Sequence, residues 1–371
     1  MTPSEPTGAG TGPSGEAAAD HRRAQVIGAG LIGGSVGLAL RRAGWTVTLD
    51  DLDPDRIAAG LARGVADAAG FDTGAQLVVI ATPVGAIVDV ALDALARTDA
   101  VVTDVGSVKG PVLRSIDDPR FVGGHPMAGS EQEGIDGSQS SMFDGATWVI
   151  TPTVHTDPNA LATVHSVVAS LGAEVVTLSP ESHDEIVAMI SHVPHLAAVT
   201  LMGLASGRAE NHSALLRMAA GGFRDMTRIA AGHPGIWPDI CAENRDAIGD
   251  VLDELLAELT EVRDIIAAGD RPQLLARLES ARSARLNLPT TVRRPDEMAE
   301  VRIGVPDRPG ELAAITTLAT ELSVNIYDIE IAHSAEGAQG VLIVVVEQRS
   351  RDRLTDALVD RGYRVSWREL T

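Results

Sequence analysis

The chain has 371 residues, enough for two or three domains, and its hydrophobic share of 44% with only 3% aromatics calls for aliphatic cores. A formal charge of −21 argues against nucleic acid or anionic membrane as partners, since both reward a basic surface. The single cysteine, Cys241, cannot form an internal disulfide, which fits a reducing, cytoplasmic setting.

Residues 1–21 are rich in Gly, Pro, Ser and Thr, lack an apolar h-region, and read as a disordered tail. From 22 to 179, β-type runs (AQVIG, WTVTLD, QLVVIAT, AVVTD, RFVGG, TWVITP, EVVTLS) alternate with helical stretches. That alternation predicts a parallel α/β domain of Rossmann type. Ser179 then reads as an N-cap, with Pro180 in the first turn and Glu181, Asp184 and Glu185 at the positive end of the dipole. They open an all-α domain over 180–286, whose long apolar faces imply burial against a second subunit in a homodimer. Residues 287–298 read as a linker. Residues 299–371 run strand, helix, two strands, helix, strand, the βαββαβ order of a ferredoxin-like α+β domain. No run of eighteen apolar residues occurs, so no membrane-spanning helix is expected.

GAGLIG sets Gly28, Gly30 and Gly33 in the G-x-G-x-x-G spacing between a strand and a helix. The glycines allow a tight turn and close approach of a pyrophosphate to helix-start amides, with Leu31 and Ile32 completing the loop. The next strand ends in Asp50 and Asp51, where a carboxylate holds a ribose 2′-hydroxyl and repels a 2′-phosphate. NAD is therefore favoured over NADP. Asp51 is the choice for that role; Asp50 and Asp53 are the alternatives. Thr82 and Pro83 in ATPV, and Ser107 and Lys109 in DVGSVKG, follow later strands at the carboxyl edge where such sheets bind ligands. Lys109 is the only lysine among 30 basic residues, so a site-shaping role is expected of it.

His125, in GGHPMAGSE, follows RFV and is expected just past that strand, beside the nicotinamide. A lone histidine is usually a packed core ring. At that edge, however, a neutral imidazole can accept a hydrogen bond from a substrate hydroxyl as hydride leaves its carbon. SHVPH places His192 and His195 on one helical face around Pro194, which should kink the helix. GGFRDMTRIA carries Arg224, Asp225 and Arg228, either a planar fork for a carboxylate or a structural pair. Trp237, in HPGIWPDI, reads from the residues alone as core packing. Metal is not expected, because there is one cysteine and no HExxH-like spacing.

Together, GAGLIGGS, DVGSVKG, GGHPMAGSE, SHVPH, GGFRDMTRIA and ENRDAI resemble the prephenate and arogenate dehydrogenases of tyrosine biosynthesis, from about residue 23 to 285. The resemblance implies an NAD-dependent oxidative decarboxylation that leaves an aromatic ring. It implies His125 as the catalytic histidine, Ser107 as the serine that orients it and the substrate, and Arg228 as the arginine for a substrate carboxylate. Glu131, His195 and Trp237 match residues that line or gate the pocket. Ser130, beside them, and Met127 stand where family members vary. The small-molecule substrate, prephenate or arogenate, is left open. Rival readings are another hydroxyacid dehydrogenase, many of which use a lysine on a helix of the second domain where this chain has no lysine after Lys109, and a non-catalytic NAD- and amino-acid-sensing regulator. PDRPGEL and VNIYDIEI resemble an ACT domain. That likeness implies a regulatory site at Asp307, Pro309, Gly310 and Asn325, with tyrosine as effector.

Overall fold

The computed structural model describes residues 22–129, 132, 134–209, 218–287, 298–306, 308–333 and 339–369. The expected tail, Ser130, Glu131, Asp307 and most of the expected linker lie outside the described residues. The chain forms two compact units, Met1–Arg263 and Asp264–Thr371. Their boundary falls inside the helix Arg245–Ala268.

The first unit begins with β1 (Arg23–Ile27), α1 (Leu31–Arg42), β2 (Thr46–Asp50), α2 (Pro54–Ala62), β3 (Ala68–Ala69), β4 (Leu77–Ile80) and α3 (Ile87–Arg97). It continues through β5 (Val101–Asp104), α4 (Gly110–Ser115), β6 (Phe121–Pro126), β7 (Thr147–Thr151), α5 (Pro158–Ser170) and β8 (Glu174–Thr177). These strands make one sheet, ordered β3-β2-β1-β4-β5-β6-β7-β8. The first six positions are parallel, in the doubly wound order of a dinucleotide-binding fold. Side-chain alternation splits β4 between two cores: Leu77 and Val79 join α1 and α5 on one face, Val78 and Ile80 join α3 and α4 on the other.

Two features depart from the sequence reading. The strand β3 was not anticipated, because two alanines carry little β-propensity and only two residue pairs hold them to β2. And β7 runs antiparallel to β6, with β8 parallel to β7. Apolar alternation encodes which face a side chain takes, not the direction of its strand.

Ser179 caps α6 (Pro180–Val187) as expected, its hydroxyl accepting from the Ser182 amide at 3.1 Å. A π turn over Ala188–His192 then leads into α7 (Val193–Ala209). Pro194 has no N–H to return to the carbonyl four residues back, and the expected disturbance takes the form of this widened turn. The helical half continues with α8 (Gly221–Thr227), α9 (Trp237–Glu243) and α10 (Arg245–Ala268). Ala188, Val193 and Ile248 form its small buried core. By length and composition, the 29 residues of Pro180–Arg208 could cross a membrane, an 18-residue window within them having a mean hydropathy of 1.6. The run-length reading missed this because His183, Asp184, Glu185, His192 and His195 interrupt the apolar sequence. The first four of those but Glu185, with His195, are buried.

The second unit holds α11 (Arg271–Leu286), β9 (Met298–Pro306), α12 (Glu311–Glu321), β10 (Ile326–His333), β11 (Gln339–Glu347), α13 (Gln348–Asp360) and β12 (Arg364–Glu369). Its antiparallel sheet, ordered β10-β11-β9-β12, has ferredoxin-like topology. Ile315, Leu318, Leu354 and Leu358 seal one face of it.

One buried ion pair governs the carboxyl edge of the large sheet. The β5–β6 ladder has only two residue pairs, Val102–Phe121 and Thr103–Val122. Beyond them the strands are tied by side chains. Lys109, fully buried, pairs through Nζ with Asp104 and donates to the Gly124 carbonyl at 2.9 Å. Asp104 in turn accepts from the Gly124 amide at 3.1 Å. Lys109→Met would keep the stem but leave the Asp104 carboxylate buried without its cation. That variant should lose about 3–5 kcal/mol of unfolding free energy in urea, and adding Asp104→Asn should return much of it.

Candidate active site

The glycine loop follows β1. Gly28 has φ +109°, and a Cβ there would sit 2.3 Å from the Ala81 carbonyl oxygen. A Cβ on Gly33 would lie 1.9 Å from the Gly28 carbonyl, so both positions are closed to any side chain. Gly30 differs: nothing lies within 4 Å of its Cβ position. Two glycines thus press strand and helix together, and the third leaves open space before the first turn of α1, which has no acidic residue. Leu31 and Ile32 are half-buried in that turn.

Asp51 lies just past β2, and its Oδ2 accepts from the Ala29 amide at 2.6 Å. Its other oxygen takes the Asp53 amide at 2.9 Å, while Asp53 itself caps α2. The loop is thereby held by the Asp51 side chain, and the Asp50 carbonyl also accepts from the Gly28 amide at 2.8 Å. Thr82 Oγ1 is buried without a hydrogen-bond partner among the described residues, and Pro83 is exposed beside it. Open backbone amides, a carboxylate against the loop and an orphaned hydroxyl fit a dinucleotide with a free ribose diol.

His125 lies in β6, opposite Val149 of β7, and not past the strand end as expected. The antiparallel partner prolongs the β6 ladder beyond the point where β5 stops. The ring is buried. Its Nδ1 lies 2.8 Å from His183 Nε2, and His183 Nδ1 lies 2.8 Å from Asp184 Oδ1. The Asp184 carboxylate also accepts from the Lys109 and Gly110 amides at 2.8 and 2.7 Å, at the start of α4. Asn244 Nδ2 donates to the Asp184 carbonyl at 2.9 Å and lies 3.2 Å from His192 Nδ1. Burial holds the His125 imidazole well below its ordinary 6.5, with His183, Lys109 and His192 adding to the effect. Burial likewise brings His192 down to about 4, opposed by Asp184 and assisted by His183.

Ser107 sits half-buried between β5 and α4. Among the described residues its hydroxyl makes no hydrogen bond to His125. The Nδ1 edge of that ring is turned to α6 instead. Lys109 is at the helix start as read, but as a buried strand tie. His195 is buried and stacked on Trp237, with centroids 3.6 Å apart and planes 8° from parallel. Trp237 thus packs face to face on that ring. Arg228 is exposed at the head of a 3₁₀ turn, Arg228–Ala231. His183, Asp184, Asp104 and Asn244 went unassigned in the sequence. Asp184 was read only as a helix-dipole residue, and Asn244 stood unremarked within ENRDAI.

Removal of hydride from a hydroxyl-bearing carbon is the chemistry that a neutral, buried imidazole beside a nucleotide loop can support. That places the protein among the nucleotide-dependent dehydrogenases. The family model described as prephenate dehydrogenase, nucleotide-binding domain, matches residues 36–177, and that described as prephenate dehydrogenase, dimerization domain, matches 179–280. The chain belongs to the prephenate dehydrogenase family. Its relatives include the prephenate dehydrogenase of Bacillus subtilis (strain 168), 34% identical over 334 residues, covering 85% of this chain and 90% of that one. A cyclohexadienyl dehydrogenase of Zymomonas mobilis is 34% identical over 71% of this chain and 95% of its own. Among solved structures, the A. aeolicus prephenate dehydrogenase in complex with hydroxyphenyl propionate and NAD+ is 29% identical with a TM-score of 0.69. That match covers 73% of this chain and all of the other.

The placement of Asp51 predicts cofactor preference. NAD should exceed NADP in kcat/KM, and Asp51→Asn should narrow that gap by removing the charge that opposes a 2′-phosphate. Steady-state rates with both cofactors check this; a wild-type preference for NADP would contradict it.

Proposed function

We propose that the protein catalyses the NAD-dependent oxidative decarboxylation of prephenate to 4-hydroxyphenylpyruvate in tyrosine biosynthesis. The observation that carries this reading is His125: buried, neutral, held at Nδ1, and without a partner at Nε2 among the described residues. NAD, when bound, supplies the hydride acceptor. His125 Nε2 accepts the hydrogen bond of the 4-hydroxyl and so assists loss of hydride from the carbon that bears it. The electron pair of the carboxyl C–C bond enters the ring as carbon dioxide leaves, and the ring becomes aromatic. In this reading Arg228 clamps a substrate carboxylate in two charge-assisted bonds. The His195–Trp237 stack walls the pocket, and Ser107 contacts the substrate hydroxyl.

Arogenate is the second reading, supported by the likeness to a Synechocystis arogenate dehydrogenase, 30% identical with a TM-score of 0.63. The two substrates differ only in a keto or amino acid side chain. An absorbance assay for NADH with each substrate tests both readings, and no NADH from either would overturn the function.

A cytoplasmic homodimer belongs to this reading. Ile186, Met189, Ile190, Val199 and Leu204 are exposed along the two helices of 180–208. Burying them against a second copy suits the matched dimerization domain.

His125 also predicts a pH profile. The imidazole accepts a hydrogen bond only when neutral, and the neutral form prevails above its pKa. Since that pKa lies well below 6.5, kcat/KM should hold as pH falls through 6.5 and decline only in more acid solution. His125→Asn should lower kcat by roughly 10²–10⁴-fold, abolish the acid limb and leave NAD affinity unchanged. An acid limb centred above pH 6.5 would count against this assignment.

For the second unit we propose an ACT-like regulatory role with tyrosine as effector. Gly310, at φ +98°, turns the chain into α12 beside Pro309, and Asn325 immediately precedes β10 rather than lying on it. Within that helix start Glu311 is already engaged by Arg308 at 2.5 Å and Tyr363 at 2.8 Å. Asn325→Ala in the full chain should weaken tyrosine inhibition while kcat without tyrosine stays constant. Inhibition that is unchanged in the variant would move tyrosine to the active site.

A further inference from the structure

We propose that His183 and Asp184 are positioning residues: they fix His125 in the tautomer that carries its proton on Nδ1 and leaves Nε2 bare. The inference deepens the dehydrogenase reading above and rests on it for its kinetic consequence, though not for the tautomer itself.

The direction of the chain follows from what each atom can do. An aspartate carboxylate only accepts hydrogen bonds. Asp184 is bound as one, since Oδ1 takes the Lys109 amide at 2.8 Å and Oδ2 the Gly110 amide at 2.7 Å. His183 Nδ1, 2.8 Å from Oδ1, must therefore donate. In a neutral His183 the other nitrogen, Nε2, is then an acceptor. That atom lies 2.8 Å from His125 Nδ1, so His125 must donate from Nδ1. A neutral His125 has one ring proton, and Nε2 is left with its lone pair. Every proton in the run is assigned from the carboxylate outward.

The scaffold holds this run rigidly. His183 is fully buried and Asp184 nearly so. The Asp184 main chain is pinned from α10's approach by Asn244, itself buried. The His125 and His183 rings meet edge-on at 5.1 Å and 73°, the orientation an in-plane N–H···N bond allows. Interposing His183 also keeps the carboxylate one ring away from His125. A carboxylate in direct contact would raise the basicity of the imidazole; through a neutral ring it sets the tautomer with less effect on proton affinity. His125 accordingly stays well below 6.5 despite an aspartate in its chain.

Histidine tautomers in the full-length, NAD-bound protein are read by ¹⁵N-histidine NMR, with His125→Asn giving the assignment. The expected result is His125 protonated on Nδ1 and His183 neutral and protonated on Nδ1. His183→Leu should lower kcat by roughly 10–100-fold with KM for prephenate and NAD affinity near wild type. His183→Gln places an acceptor and a donor at one end of the side chain, so it should recover most of that loss. A cationic His183, His125 protonated on Nε2, or a folded His183→Leu variant with wild-type kcat would each overturn the proposal. If His183→Leu does not fold, the wild-type tautomers and the glutamine variant still decide it. Absence of NADH from either substrate would instead defeat the dehydrogenase reading, and the tautomer would remain readable.

Discussion

Asp184 joins the helical half of the first unit to the edge of its sheet. The residue stands within α6, yet both its carboxylate oxygens take amides from the start of α4. A carboxylate taken out of water persists only where donors replace its hydration. Here the same two amides would be orphans of a helix start without it. Each side therefore needs the other, and the contact fixes α6 against the loop that carries Ser107. His183 follows from that placement, because the residue before Asp184 is brought under β6 and reaches His125. The strand β6 and the helical half are in this way registered by one side chain.

The buried lysine works on the same few ångströms of sheet edge. Where the β5–β6 ladder ends, Lys109 and Asp104 replace backbone pairing by side-chain pairing. A lysine so placed is costly to bury, and burial lowers its ammonium pKa against the pull of Asp104. Its charge also contributes to keeping His125 neutral. One residue thus closes the strands and sets the field in which the imidazole works. An apolar side chain of similar length could do the first only in part, and the second not at all.

Much of this was legible beforehand. The glycine spacing, Asp51 after the second strand and the Ser179 cap are short-range patterns whose physics is complete within a few residues. His125 was legible by position, since motifs after consecutive parallel strands must line one edge. What was not legible depends on contacts between distant parts of the chain. His183 meets His125 across 58 positions, and Asn244 meets Asp184 across 60. Neither pair has a spacing rule. The reversal at β7 belongs to the same class, and it is why His125 lies within a strand rather than after one. Lysine scarcity pointed to Lys109 but said nothing of its burial. The orienting task expected of Ser107 rests on the resemblance, and the contact to the His125 ring that the sequence did not suggest is that of His183.

The acidic composition sharpens the electrostatic question. With a formal charge of −21, the chain as a whole repels the anions that a dinucleotide and a dicarboxylate present. Screening confines that repulsion to about 10 Å at ordinary salt, so the groups at the sheet edge decide binding. The start of α1 has no acidic residue in its first turn, and the space a Cβ on Gly30 would enter is open. Asp51 is the carboxylate set against that loop, where a ribose diol rather than a phosphate would meet it. On the proposed reading, Arg228 supplies the positive charge for the substrate end. Lys109 is too deeply buried to bind either anion. Anion attraction here is a property of the sheet edge, and the surface charge bears instead on solubility.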